Sequence, residues 1–136
     1  MKRVLFVLLF SGLLLCSACS AVGGGTNNAA PALEPVPAEF AGRTNPFGAD
    51  AASAGQEIFT ASCKSCHGPE GHGDGPAAGY LNPHPKNLAE LQTYAGDDYL
   101  FWRISTGRTG TAMISWQGIL TDEQIWQLVA FIRTLK

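Results

Sequence analysis

Two cysteines and a histidine in the run Cys63-Lys64-Ser65-Cys66-His67 have the spacing with the most chemical content in this chain. On a helix, residues three apart share a face, so both sulfurs can reach one edge of a flat macrocycle. The adjacent imidazole can then turn toward the centre of that macrocycle. Cys-x-x-Cys-His at this spacing reads as the attachment site of a covalent c-type haem. For His67 to bind iron through Nε2, its Nδ1 must donate to an acceptor.

Three other readings of the cysteine pair stand beside this one. A disulfide is the default for an even count in an exported chain. A redox-active pair of the thioredoxin kind belongs beside a βαβ pattern, and no such pattern is present. A zinc site needs further ligands, and His72 and His84 lie in glycine- and proline-rich sequence without a second paired motif.

An iron held by one histidine has a second face. Apart from Met1, the only methionine is Met113, 46 residues past His67 in an irregular stretch before the last apolar segment. A thioether opposite histidine favours ferrous iron and raises the reduction potential, as a carrier of electrons requires. The bland alternative is a methionine filling a gap in the core. His72 lies too close to His67 to cross to the opposite face. His84 sits between Pro83 and Pro85 on stiff backbone.

The elements that must position these residues read as helical. Asp50 or Ser53, the latter with Gln56 three residues on, can cap a helix over about 51–65, and Gly55, Phe59, Ser62 and Cys66 recur at helical spacing. Residues 67–95 read as a long loop punctuated by glycine and proline, unusual unless it wraps something. A second helix is expected from Asp97 or Asp98 to Thr106, stopped by Gly107. After an irregular stretch over 107–120, Thr121-Asp122-Glu123-Gln124 opens a last helix with the stripe Ile125, Leu128, Val129 and Ile132, widened by Phe131 and Leu135. No segment alternates as a strand does, so the fold class is all-α.

The N-terminal third has a different composition. Lys2 and Arg3 precede an apolar run from Val4 to Leu15, shorter than the 20 or so residues of a membrane-spanning helix. Residues 1–18 therefore read as a signal peptide, with Ser17-Ala18 before Cys19. Leu-rich sequence ending in Ser-Ala-Cys resembles the lipobox of bacterial lipoproteins, which implies lipidation of Cys19. Cys16 stands where that motif usually has leucine, and cleavage after Ala21 by ordinary signal peptidase is the alternative. Either way Cys16 leaves with the leader. Residues 19–49, rich in Gly, Ala and Pro, read as a flexible tether with a reach of roughly 30 Å. The functional domain is then 50–136. Loss of the leader leaves seven basic against eleven acidic side chains, a balance that excludes a nucleic-acid-binding stripe.

From Asn45 to Lys136 the sequence resembles the class I cytochromes c. The resemblance rests on Gly55 and Phe59, Cys63-Lys64-Ser65-Cys66-His67, Gly68-x-x-Gly71-x-Gly73-Asp74-Gly75, Pro85-Lys86-Asn87-Leu88, Met113, and a terminal helix with Leu128 and Phe131. It implies a small fold of three to four helices around one covalent haem c, with Cys63 and Cys66 as thioethers and His67 and Met113 as axial ligands. It also implies that the first and last helices cross at Gly55 and Phe59 against Leu128 and Phe131. A carbonyl near Pro83–Pro85 would accept the His67 Nδ1 proton, and Leu88 would press on the haem. Trp116, Trp102 and Arg108 are candidates for the haem edge. Met113 is followed by Ile114 where many relatives carry proline, a departure that bears on loop rigidity.

The implied function is one-electron transfer, Fe(III)/Fe(II), by a carrier that is not itself an enzyme. It would sit outside the cytoplasmic membrane, lipid-anchored through Cys19. Redox partner proteins are implied, a membrane quinol-oxidising complex or a terminal oxidase, as for the monohaem lipoprotein subunits of alternative quinol-oxidising complexes. A haem-based gas sensor or a small haem enzyme would instead need an open sixth position on the iron. A subunit whose haem serves only assembly is a further alternative.

Overall fold

The computed structural model describes residues 32–136, so the signal segment and Cys19 lie outside the described residues. Its frame is the crossing of two helices, α1 (Ala52–Ser62) and the last helix, α5 (Asp122–Ile132). Gly55 is the reason they can approach. A Cβ at that position would overlap the Gln127 carbonyl and meet Phe131 Cβ at 2.9 Å. One turn on, Phe59 is 1% exposed and its ring centroid lies 5.0 Å from that of Phe131, as the resemblance implied. Burying a side chain of this size contributes about 1.5–3 kcal/mol.

Between these two lie three further helices: α2 (Lys64–His67), α3 (Leu88–Leu91) and α4 (Asp97–Thr106). Among the described residues there is no strand, only an isolated bridge between Gln117 and Leu120. The fold is all-α. Helix α5 begins with the expected capping box: Gln124 N–H donates to Thr121 Oγ1 at 3.2 Å, and Thr121 N–H to Gln124 Oε1 at 2.9 Å. Its whole stripe is buried, and so are Trp126 and Ala130, because α5 is covered on several sides. Helix α4 runs over the expected span and stops at Gly107.

Several boundaries differ from the sequence reading. Helix α1 is entered through a 3-10 turn at Ala49–Ala51 and has no side-chain cap, so neither Asp50 nor Ser53 serves as one. The helix expected over 51–65 breaks at Cys63, which adopts φ −115° before α2 resumes. Within the loop expected over 67–95 there is a 3-10 turn at Ala78–Tyr80 and helix α3. Helix α3 is capped by Asn87, whose Oδ1 accepts from Glu90 N–H at 3.0 Å. It is one turn long, too short to show a period.

The largest difference concerns the tether. Residues 33–47 are not a free spacer but a strap against the domain, so the packed unit begins well before residue 50. Leu33, Val36 and Phe40 pack on the core, and the Phe40 ring lies 6.3 Å from that of Phe101. Gly42 N–H donates to Asp98 Oδ2 at 2.9 Å, and Asn45 N–H to Asp97 Oδ2 at 3.0 Å. Asn45 Nδ2 donates to the Trp126 carbonyl at 2.9 Å. Three apolar anchors separated by proline and small residues give no local period. Their partners are more than fifty residues away, so composition alone reads the segment as disordered.

Candidate functional site

The cavity of about 380 Å³ between these elements is lined mostly by apolar atoms, and the Cys-x-x-Cys-His helix forms one wall. Cys63 and Cys66 are half-buried on that wall and not bonded to each other. Burial pushes the Cys63 thiol up to about 12, with the neighbouring Cys66 adding to the shift. Local hydrogen bonds set the geometry of the pair. Cys63 N–H donates to Phe59 O at 2.8 Å, while Cys63 O accepts from Cys66 N–H at 3.1 Å and His67 N–H at 2.9 Å.

The chain then folds back over this turn. Gly73 N–H donates to His67 O, Gly75 N–H to Cys66 O and Ala77 N–H to Ser65 O, at 2.8, 3.2 and 2.9 Å. Carbonyls that would be orphaned at a helix C-terminus are thereby satisfied, and the motif is clamped.

His67 Nδ1 lies 3.1 Å from the Lys86 carbonyl. Donation there fixes the tautomer and leaves Nε2 unprotonated toward the cavity. The acceptor is therefore one residue beyond the Pro83–Pro85 carbonyls that the resemblance implied. Burial holds His67 below the ordinary histidine range, and the Lys86 contact opposes that only in part. The imidazole is neutral at pH 7, as an iron ligand must be.

Met113 lies on the opposite stretch of chain, half-buried, and lines the same cavity. The 107–120 segment obtains its shape without a proline at 114. Arg108 N–H donates to the Met113 carbonyl at 2.9 Å, and Thr111 Oγ1 both donates to Arg108 O (2.8 Å) and accepts from Met113 N–H (3.1 Å). Gly107, at φ +68° and ψ −157°, is backbone that only glycine adopts readily. A Cβ there would sit 2.5 Å from the Met113 carbonyl oxygen.

Leu88, Trp116 and Arg108 also line the cavity, Leu88 being buried. Trp102 does not; its ring carries the Arg103 guanidinium at 3.8 Å. His84 is exposed at the rim with Nδ1 3.2 Å from Pro85 O, and His72 pairs with Glu70 at 3.4 Å on the surface. The sequence places Tyr99 and Leu100 on one side of the second helix but does not mark them, or Arg103, as site residues. All three line the cavity from α4, and the Tyr99–Arg103 spacing of four was the available signal. Among the described residues no three His, Cys, Asp or Glu side chains group to hold a metal ion, so the zinc reading loses its ligand set.

The donors present fit a haem: two thiols on one turn, a neutral imidazole with its second nitrogen committed, a thioether lining the same cavity, and apolar walls. The cytochrome c family model matches residues 52–136. This chain belongs to the cytochrome c family. It is a monohaem class I c-type cytochrome, its cofactor is one covalent haem c, and its chemistry is haem-based electron transfer.

Among relatives of this cytochrome, the chain is 33% identical over 86 residues to the cbb3-type cytochrome c oxidase subunit FixP of Azorhizobium caulinodans. That match covers 62% of this chain and 27% of the oxidase subunit, so the chain spans about a quarter of that relative's length. Among solved structures it is similar to a chain of the reducing HAO-like protein complex of Kuenenia stuttgartiensis. The identity is 26% and the TM-score 0.58, over 76% of this chain and 52% of the other. It is likewise similar to the c-type cytochrome KustC0563, with 27% identity and a TM-score of 0.51 over 60% and 96% of the two chains.

Proposed function

We propose that this cytochrome is a membrane-tethered one-electron carrier whose iron is held between His67 and Met113 and whose haem is bonded to Cys63 and Cys66. The observation that carries the reading is the shared cavity: the imidazole with its Nδ1 committed and the solitary thioether line one apolar space from opposite stretches of chain. When bound, haem supplies the Fe(III)/Fe(II) couple. The chain's own residues exclude water, hold the imidazole tautomer, and present a sulfur that favours the ferrous state. Leu88 packs against the ring.

The anchor in this reading is a lipid on Cys19, after removal of residues 1–18, on the outer face of the cytoplasmic membrane. Among the described residues no helix is long and apolar enough to cross a bilayer. The partners proposed are a quinol-oxidising complex or a terminal oxidase, and the similarity to an oxidase subunit supports that class. With seven basic against eleven acidic side chains after the leader, the partner's docking patch is basic and electron transfer slows as salt rises. Replacing Cys19→Ser moves the protein from the membrane fraction to the soluble one; unchanged membrane retention would overturn the anchor.

The ligand set is tested by optical spectra of the holoprotein. The ferric form is expected to show the weak methionine–iron charge-transfer band, lost in Met113→Ala, and the ferrous form not to take up carbon monoxide. A missing band with ready carbon monoxide binding would sink the carrier reading and favour a sensor or a small haem enzyme.

A further inference from the structure

The haem cavity shares two arginines with a second, polar concavity on the outside of the domain. Arg103 and Arg108 line both, and the floor of the outer one is Glu34 of the N-terminal strap. The Glu34 carboxylate spans them: Oε2 pairs with Arg103 Nη2, and Oε1 accepts from Arg108 Nη2 at 3.1 Å. Arg103 is otherwise an awkward resident of this wall. Its side chain is only 13% exposed, and Nη2 faces Glu34 in an ion pair. Its other contacts are neutral, namely the Trp102 face and Tyr99 Oη at 3.5 Å from Nε. A guanidinium so placed needs a counter-charge. Glu34, itself half-exposed, supplies it from sequence that otherwise resembles a spacer.

We propose that Glu34 is a positioning residue that sets the reduction potential of the bound haem, by holding the Arg103 and Arg108 guanidinium groups at the cavity wall and cancelling part of their charge. Reduction adds an electron at the iron and is favoured by nearby positive charge. Two arginines alone would stabilise the ferrous state; two arginines with one carboxylate do so less. The strap, which runs from the N-terminal part of the chain to α1, therefore reaches the redox centre through two charged side chains. The inference requires the covalent haem of the family and does not require any particular partner.

The test is a spectroelectrochemical titration of the full-length holoprotein and its variants. In Glu34→Gln the reduced-to-oxidised ratio at a fixed poise is expected to rise, on the order of threefold, as for the loss of one partly screened charge. Glu34→Asp, which keeps the charge, is expected to restore most of the wild-type ratio. Val36→Ala loosens the strap's packing without altering charge, and should move the ratio much less than Glu34→Gln does. An unmoved potential in Glu34→Gln would overturn the proposal. So would a shift in Val36→Ala equal to that of Glu34→Gln, because the effect would then belong to packing. The same spectra report haem attachment and methionine ligation, so a failure of the Met113 assignment is distinguishable from a failure of Glu34.

Discussion

The two walls of the haem cavity are built by different means. The His67 wall is made by neighbours in sequence: α1 leads into the Cys63–Cys66 turn, and residues 73, 75 and 77 fold back on it within a dozen positions. The Met113 wall combines local contacts with a partner from far away in the sequence. Arg108 closes a small loop around Met113, but that loop rests on α4 through Trp116 N–H to Ile104 O at 3.2 Å and Ser115 Oγ to Ser105 O at 2.7 Å. Behind it, Arg103 and Arg108 are held by a glutamate from the far end of the chain. A short-range clamp holds the covalent attachment site. A local loop holds Met113, and long-range ion pairs from Glu34 hold the two arginines behind it.

If that contrast is right, damage to the first wall should cost the fold, and damage to the second should open the iron at a smaller cost in stability. The largest expected effect is that of Cys63→Ala/Cys66→Ala. A domain of this size with two long loops depends on the haem for its core. The double variant should lose covalent haem and show no cooperative unfolding by circular dichroism; a native-like cooperative transition would break the contrast. Gly107→Ala should follow, at about 2–3 kcal/mol in denaturant unfolding, from strained backbone and overlap with Met113. Haem should stay attached while the methionine–iron band weakens.

Thr111→Val removes the hydroxyl that joins Arg108 to Met113 and should cost about 1 kcal/mol. Its sharper readout is faster carbon monoxide uptake by the ferrous protein with the Cys63–His67 wall untouched. The smallest effect concerns acid. The Arg103 hydrogen bond, opposed by desolvation and helped by the charges of Arg103 and Arg108, holds the Glu34 carboxyl below its ordinary range. A lowered folded-state value means that the contact contributes fully above the unfolded glutamate pKa and fades as pH falls through the lower folded one. Methyl NMR signals of Leu33 and Val36 should shift over that acid window in the wild type and not in Glu34→Gln.

How much of this was legible follows the same division. The Cys-x-x-Cys-His turn, the Thr121 capping box and the α4 span are carried by spacing within one or two turns, while the Gly55–Phe131 crossing came from the family resemblance. Helix α3 escaped because one turn has no period, and the acceptor for His67 moved to Lys86 because only the folded loop fixes which carbonyl arrives. The strap escaped for a more general reason. Leu33, Val36 and Phe40 are sparse among prolines and small residues, and nothing nearby in sequence announces Phe101, Arg103 or Trp126 as their partners.

The sequence by itself pointed to the cofactor, to the Cys63 and Cys66 pair that fits its attachment, and to the helical class, because covalent motifs and helical periodicity are local. The tertiary structure alone decided which arginines border the haem cavity, that a glutamate from the expected tether pairs with both, and how a loop without proline holds Met113. Those outcomes depend on distances between residues up to 74 positions apart. Only the closed fold sets such distances.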